Sequence, residues 1–193
     1  MQIKLLALTL AATCSLAGCA MDTVNTKADG MTARANPTVG GAAMYASRDI
    51  IDNAVNSADH ATLVAAVKAA GLVDTLKGPG PFTGFAPTNA AVDALPAGTV
   101  DTLLKPENKA TLTAVLTYHV VAGKLDAGAI AARIRAGGGK AMLTTVQGGS
   151  LTAMAAGNGV AVTDAKGNVA NVTIANVEQS NGVIHVVDSV LLP

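Results

Sequence analysis

The apolar residues of this chain change their spacing once, at Gly137-Gly138-Gly139, and that change limits the folds open to it. Before the glycines they recur three and four residues apart: Ile50, Ile51, Ala54 and Val55; Leu63, Val64, Val67 and Ala70; Leu112, Val115 and Leu116; Ile130 and Ile134. That period lays one apolar stripe along each of several helices, predicted over 49–58, 61–70, 107–117 and 126–135. After the glycines come β-branched runs at 143–146, 151–154, 160–163, 169–177 and 183–192, parted by glycine-rich turns, which read as strands. Helices first and strands later predict an α+β domain.

Local signals sharpen the boundaries. Asp59 is placed to cap the second helix, and Gly71 to end it. Residues 77–81, Lys-Gly-Pro-Gly-Pro, cannot continue a helix, so a loop leads into a short strand over 82–86. Thr88 or Asn89 caps a short helix to Leu95, a further turn follows over 99–104, and Pro106 stands at the start of the next helix. Asp126 caps the last one. Asn181-Gly182 predicts a two-residue type I′ hairpin, in which both central residues take positive φ.

The N-terminus follows different rules. Lys4, the apolar run over 5–12 and the small residues Leu16-Ala17-Gly18 before Cys19 form a secretory signal over 1–18, too short to span a bilayer. Leu16-Ala17-Gly18-Cys19 resembles the lipobox of bacterial lipoproteins, which implies that Cys19 carries lipid and becomes the mature N-terminus. Ala20 at the next position, rather than Asp, implies export to the outer membrane in a diderm host. Residues 19–43, small, polar and without apolar period, read as the lipidated cysteine and a flexible tether, with the domain over 44–193. Cys14 lies in the signal, so the mature domain has no cysteine pair for an internal disulfide. With 13 basic and 13 acidic residues and 2% aromatics, the chain lacks both the basic stripe and the stacking rings of a nucleic-acid binder.

Three segments, in order, resemble a fasciclin domain: Phe82-Thr83-Gly84-Phe85-Ala86-Pro87-Thr88-Asn89-Ala90-Ala91, then Leu116-Thr117-Tyr118-His119-Val120-Val121, then 181–193 from Asn181-Gly182-Val183-Ile184-His185 to Leu192-Pro193. The resemblance covers 44–193 and implies a fasciclin-like α+β fold, several N-terminal helices packed against a C-terminal, mostly antiparallel β-wedge. It implies a non-enzymatic adhesion or surface-interaction module, without a cofactor, contacting a protein or glycan in the cell envelope, on its outer-membrane or periplasmic face, or at the cell surface. Carried onto this chain, the family's Tyr-His motif makes Tyr118 and His119 a possible contact site. Two positions depart from the pattern: Gly84 where a Val or Leu is usual, and Val92 where a Phe is usual. Those smaller residues motivate an alternative reading, a binding protein for a small apolar ligand such as a carotenoid or lipid.

Catalytic readings fare worse. His185, Asp188 and Ser189 share one strand, where alternation turns Asp188 away from the others and about 3.3 Å per residue sets His185 and Ser189 roughly 13 Å apart. Gly148-Gly149-Ser150-Leu151 lacks the second glycine of a nucleophile elbow. His60, His119 and His185 fall in separate elements, without metal-ligand spacing. His119, within an apolar run, reads first as a buried histidine with bonded ring nitrogens, Tyr118 packing beside it.

Overall fold

Asp49 sits in extended backbone and its carboxylate accepts the Asp52 N–H, which opens α1 (Ile50–Ala54). A computed structural model describes residues 36–193 apart from Ala97 and Asn158. The expected signal, the lipid site at Cys19 and residues 19–35 of the expected tether lie outside the described residues. α2 (Ala61–Ala70) ends at Gly71, whose φ of 73° is the left-handed conformation expected of a terminating glycine. Asp59 does not cap this helix; it lies inside a 3-10 turn, Ala58–His60, and His60 precedes the helix without a side-chain cap. After α3 (Val73–Lys77), Thr88 Oγ1 accepts the Ala91 N–H to start α4 (Asn89–Asp93), and α5 (Thr99–Leu104) follows. Pro106 begins a 3-10 turn, Pro106–Asn108, so α6 (Lys109–Tyr118) starts two residues later than its period suggests. Asp126 caps α7 (Ala127–Ala136) by accepting the Ala129 N–H at 2.6 Å.

Two strands interleave with the helices, β3 (Phe82–Pro87) and β4 (Val120–Ala122). Five follow the glycine triplet: β5 (Lys140–Thr144), β6 (Ser150–Ala156), β7 (Gly159–Thr163), β8 (Val169–Gln179) and β9 (Gly182–Val187). They form one seven-stranded sheet in the order β4-β3-β9-β8-β7-β6-β5, antiparallel except where β3 lies parallel to β9. A bridge between Val121 and Thr145 joins β4 to the residues after β5, so the two edges meet and the sheet closes into a wedge. Closure leaves less strand edge open to pairing with other chains.

The last hairpin differs from its predicted form. Gln179 pairs with Gly182, which makes Ser180-Asn181 the turn, and neither Asn181 nor Gly182 has positive φ. Asn181 is held instead by tertiary bonds: its Oδ1 accepts the Ile50 N–H, and its Nδ2 donates to the carbonyls of Leu76 and Gly78. Gly182 is there for space, since a Cβ would lie 2.1 Å from the Phe82 carbonyl oxygen.

Residues just ahead of Met44, read from the sequence as the end of the tether, pack on the head. β1 (Thr38–Val39) and β2 (Ala42–Ala43) pair as a small hairpin, and Val39 and Met44 enter an apolar cluster with Ile50, Ala86, Val177, Ile184 and Val186. A second cluster joins α1, α2 and α6 through Ile51, Val67, Leu112 and Leu116. The largest fills the wedge under α7, with Phe85, Tyr118, Ile130, Leu143, Leu151, Val162 and Leu191 at its centre.

Candidate functional site

Tyr118 and His119 stand where α6 ends and β4 begins, and both are core residues, 1% and 5% exposed. The Tyr118 hydroxyl donates to the Ser150 carbonyl at 2.9 Å and accepts the Ala165 N–H at 3.1 Å. His119 Nδ1 lies 2.8 Å from the Val115 carbonyl, which can only accept, and its Nε2 takes the Leu191 N–H at 3.0 Å. One donating and one accepting nitrogen describe a neutral ring. Burial holds the His119 pKa below the usual histidine value, against the opposing pull of the Val115 carbonyl and Asp164. In this fold neither side chain is presented to a docking partner; the pair ties the end of α6 to β6, the β7–β8 turn and the C-terminal tail.

His185 is equally committed. Its Nε2 lies 2.8 Å from the Leu125 carbonyl, and its ring stacks on Phe85, directly opposite in the β3–β9 register, with centroids 5.7 Å apart. Asp188 accepts both the backbone N–H and the side-chain amide of Asn171. Asp188 also bonds Ser189, but His185 is held by the Leu125 carbonyl and Phe85, so the three side chains form no relay. Gly149 makes room for Tyr118, whose ring carbon would lie 2.7 Å from a Cβ there. Among the described residues, no group of three His, Cys, Asp or Glu side chains is placed to hold a metal ion.

The two positions that depart from the resemblance each border a cavity. Gly84 lines an apolar space of about 80 Å³ between the β1–β2 hairpin, α1 and α2 and the facing strands β3, β8 and β9. Val92 lines a second, of about 60 Å³, among α2, α4, α5 and α6. Leu63, Leu116 and His119 border both. Nothing crowds Gly84: a Cβ would meet only Ile184 Cγ1, at 3.8 Å. His60 also borders the first cavity, a role that its place between predicted helices did not suggest. The local signal was Ser57, three residues earlier, whose Oγ lies 2.9 Å from His60 Nδ1.

On the opposite face of the strands that line the wedge, register aligns Met142, Thr152, Thr163 and Val169 in one row across β5 to β8. Met142 at 73% exposure and Val169 at 47% are the ends of that row, so the outer sheet presents apolar side chains to solvent.

The fasciclin domain family model matches residues 58–193. Protein sll1483 of Synechocystis is 44% identical over 163 residues, spanning 84% of this chain and 83% of its own. Immunogenic protein MPB70 of Mycobacterium bovis is 39% identical over 168 residues, 83% of this chain and 78% of its own. Cell surface glycolipoprotein MPB83, also of Mycobacterium bovis, is 35% identical over 164 residues, 82% and 67%. Among solved structures, the FAS1 domain pair of the insect cell adhesion molecule fasciclin I superposes with a TM-score of 0.67 at 17% identity, covering 76% of this chain and 51% of that one, about half of the pair.

Proposed function

Because this chain belongs to the fasciclin domain family, we propose that it is a non-enzymatic adhesion module, anchored in the cell envelope by lipid on Cys19 and contacting a protein or glycan of a neighbouring cell, matrix or envelope. The observation that carries this reading is the similarity of four-fifths of the chain to a protein described as a cell surface glycolipoprotein. The lipobox-like Leu16-Ala17-Gly18-Cys19 supports it independently. The chemistry of the head is consistent with it, because His119 and His185 use their ring nitrogens within the fold rather than on a substrate. With Tyr118 and His119 buried, the row from Met142 to Val169 is the surface on which we place the contact.

The test is binding of the protein, produced as residues 20–193, to intact cells and extracted matrix of its own organism. Saturable binding is expected, reduced at least tenfold by the pair Met142→Lys and Val169→Lys while the melting temperature stays within a few degrees. Absence of saturable binding to every fraction would sink the adhesion reading; full binding by the double variant would move the contact elsewhere on the head.

A further inference from the structure

One end of the wedge is basic. α7 finishes there, β5 starts, β6 ends and β7 starts, since Lys140 pairs with Met154 and Ala156 with Gly159. Between Asp126 and Asp164 the chain contains Arg133, Arg135 and Lys140 and not one Asp or Glu. Gly137 brings the three together: a Cβ there would lie 2.1 Å from the Lys140 carbonyl oxygen and 3.2 Å from that of Arg133, so the last turn of α7 abuts the first residue of β5. The two bounding carboxylates are remote. Asp126 precedes the ten residues of α7, about 15 Å at 1.5 Å per residue, and Asp164 follows the far end of β7, about 16 Å at 3.3 Å per residue. All three basic residues are exposed, and none enters an ion pair among the described residues.

Beside this charge stands hydrocarbon. Met142 shares the outer face of β5 with Lys140, two residues on, and is 73% exposed; Met154 lies opposite Lys140 and is half-buried. The negative end of α7 favours arginines in its last turn, but it does not ask for Lys140 or for a methionine open to water next to it. The composition also limits the partner. Residues 127–163 include no aromatic ring on which a sugar could stack. Basic side chains flanking an apolar one match the surface of an anionic bilayer, where the cations meet headgroup phosphates and the thioether enters the boundary with the acyl chains. No carboxylate at this end opposes that approach.

We propose that this end of the head docks on the anionic lipid surface of its own membrane, with Arg133, Arg135 and Lys140 against headgroups and Met142 in the interface. The inference rests on the lipid anchoring proposed above, which supplies the nearness: residues 20–35 reach at most about 60 Å even fully extended, so the head stays within that distance of the bilayer that holds Cys19. Each basic side chain strengthens binding to an anionic surface by about fivefold, which is weak for a free protein and sufficient for a head already held beside the lipid. Met142 also belongs to the row on which the adhesion contact is placed, so a head lying on its own membrane withholds that row from a partner.

The test sediments the 20–193 protein, at low salt and millimolar lipid, with vesicles of about 30% phosphatidylglycerol in phosphatidylcholine and with phosphatidylcholine alone. Binding is expected to the anionic vesicles only, and to be lost when salt rises to about 0.5 M. Arg133→Gln, Arg135→Gln and Lys140→Gln together are expected to reduce it about a hundredfold, to the phosphatidylcholine level. The 20–193 protein contains no cysteine, so a dye on Met142→Cys reports that position alone. Its emission is expected to shift to the blue on anionic vesicles, while a dye on Val55→Cys, 49% exposed in the helical half, stays unchanged. No binding to anionic vesicles at low salt would overturn the proposal, as would equal binding to both lipids, full binding by the triple variant, or a dye that responds at Val55 and not at Met142. None of these outcomes touches the cell-binding test, whose failure would in turn leave lipid docking standing.

Discussion

Tyr118 brings one hydroxyl to two backbone groups, the Ser150 carbonyl and the Ala165 N–H, that have to be satisfied inside the fold. Tyr118→Phe keeps the ring and removes both bonds. It is expected to lower unfolding stability by about 1–3 kcal/mol without changing the denaturant slope, as read from urea titration. A loss under about 0.5 kcal/mol would mean that water replaces the hydroxyl and that the bonds hold little. The burial of Tyr118 and His119 was legible from the apolar residues on either side. One His119 partner, Val115, lies a helical turn away; the other, Leu191, is 72 residues distant, and no local pattern could name it.

Elements meet their neighbours through backbone distance as much as through side chains, and Gly182 shows how tightly. It opens β9 opposite Phe82 of β3, and a methyl group there would sit 2.1 Å from the Phe82 carbonyl oxygen. Because the obstacle is backbone, Gly182→Ala has to push β9 from β3 at the middle of the sheet, and a loss of about 3 kcal/mol or more is expected. Thermal unfolding measures it; a near-native melting temperature would show that the strands part cheaply. The glycine was visible in the sequence but for the wrong reason: Asn-Gly signals positive φ in a turn, whereas here the residue is selected by a strand a hundred positions earlier.

For the whole molecule the buried histidines set a pH dependence. Burial lowers the pKa of both His119 and His185 from 6.5, while backbone carbonyls and nearby carboxylates pull the other way. Above pH 6.5 folded and unfolded chains are both neutral at these sites. As pH falls below it the unfolded chain takes up protons first, so stability falls by up to about 1.4 kcal/mol per pH unit for each histidine. Asp164 and Asp188 act in the same direction lower down. Burial raises their pKa, but the Leu192, Asn168 and Lys166 bonds to Asp164 and the Asn171 and Ser189 bonds to Asp188 leave both below 3.8. Their contribution is present above that value and is lost as pH drops through the folded pKa. Melting temperatures are expected to be level from pH 7 to 8 and to decline steadily below 6.5. Equal stability at pH 5 and 7 would mean that these rings protonate without unfolding the head.

Read alone, the sequence determined the class of fold, most of the order of helices and strands after Met44, the caps at Asp126 and Gly71, and Thr88 as one of two candidates for a third, because each of those depends on spacing or on a bond spanning a few residues. Only tertiary structure decided that residues 36–44 belong to the head, since Val39 and Met44 gain their burial from Ala86, Val177 and Val186, far along the chain. It also decided that Asp59 caps nothing, that the final turn uses Ser180-Asn181, and that Gly84, His60 and Ile184 face one cavity. Local hydrogen bonds and periodicity are encoded within a turn or two of chain, whereas the volume left between a helix pair and a sheet depends on how all of them pack at once.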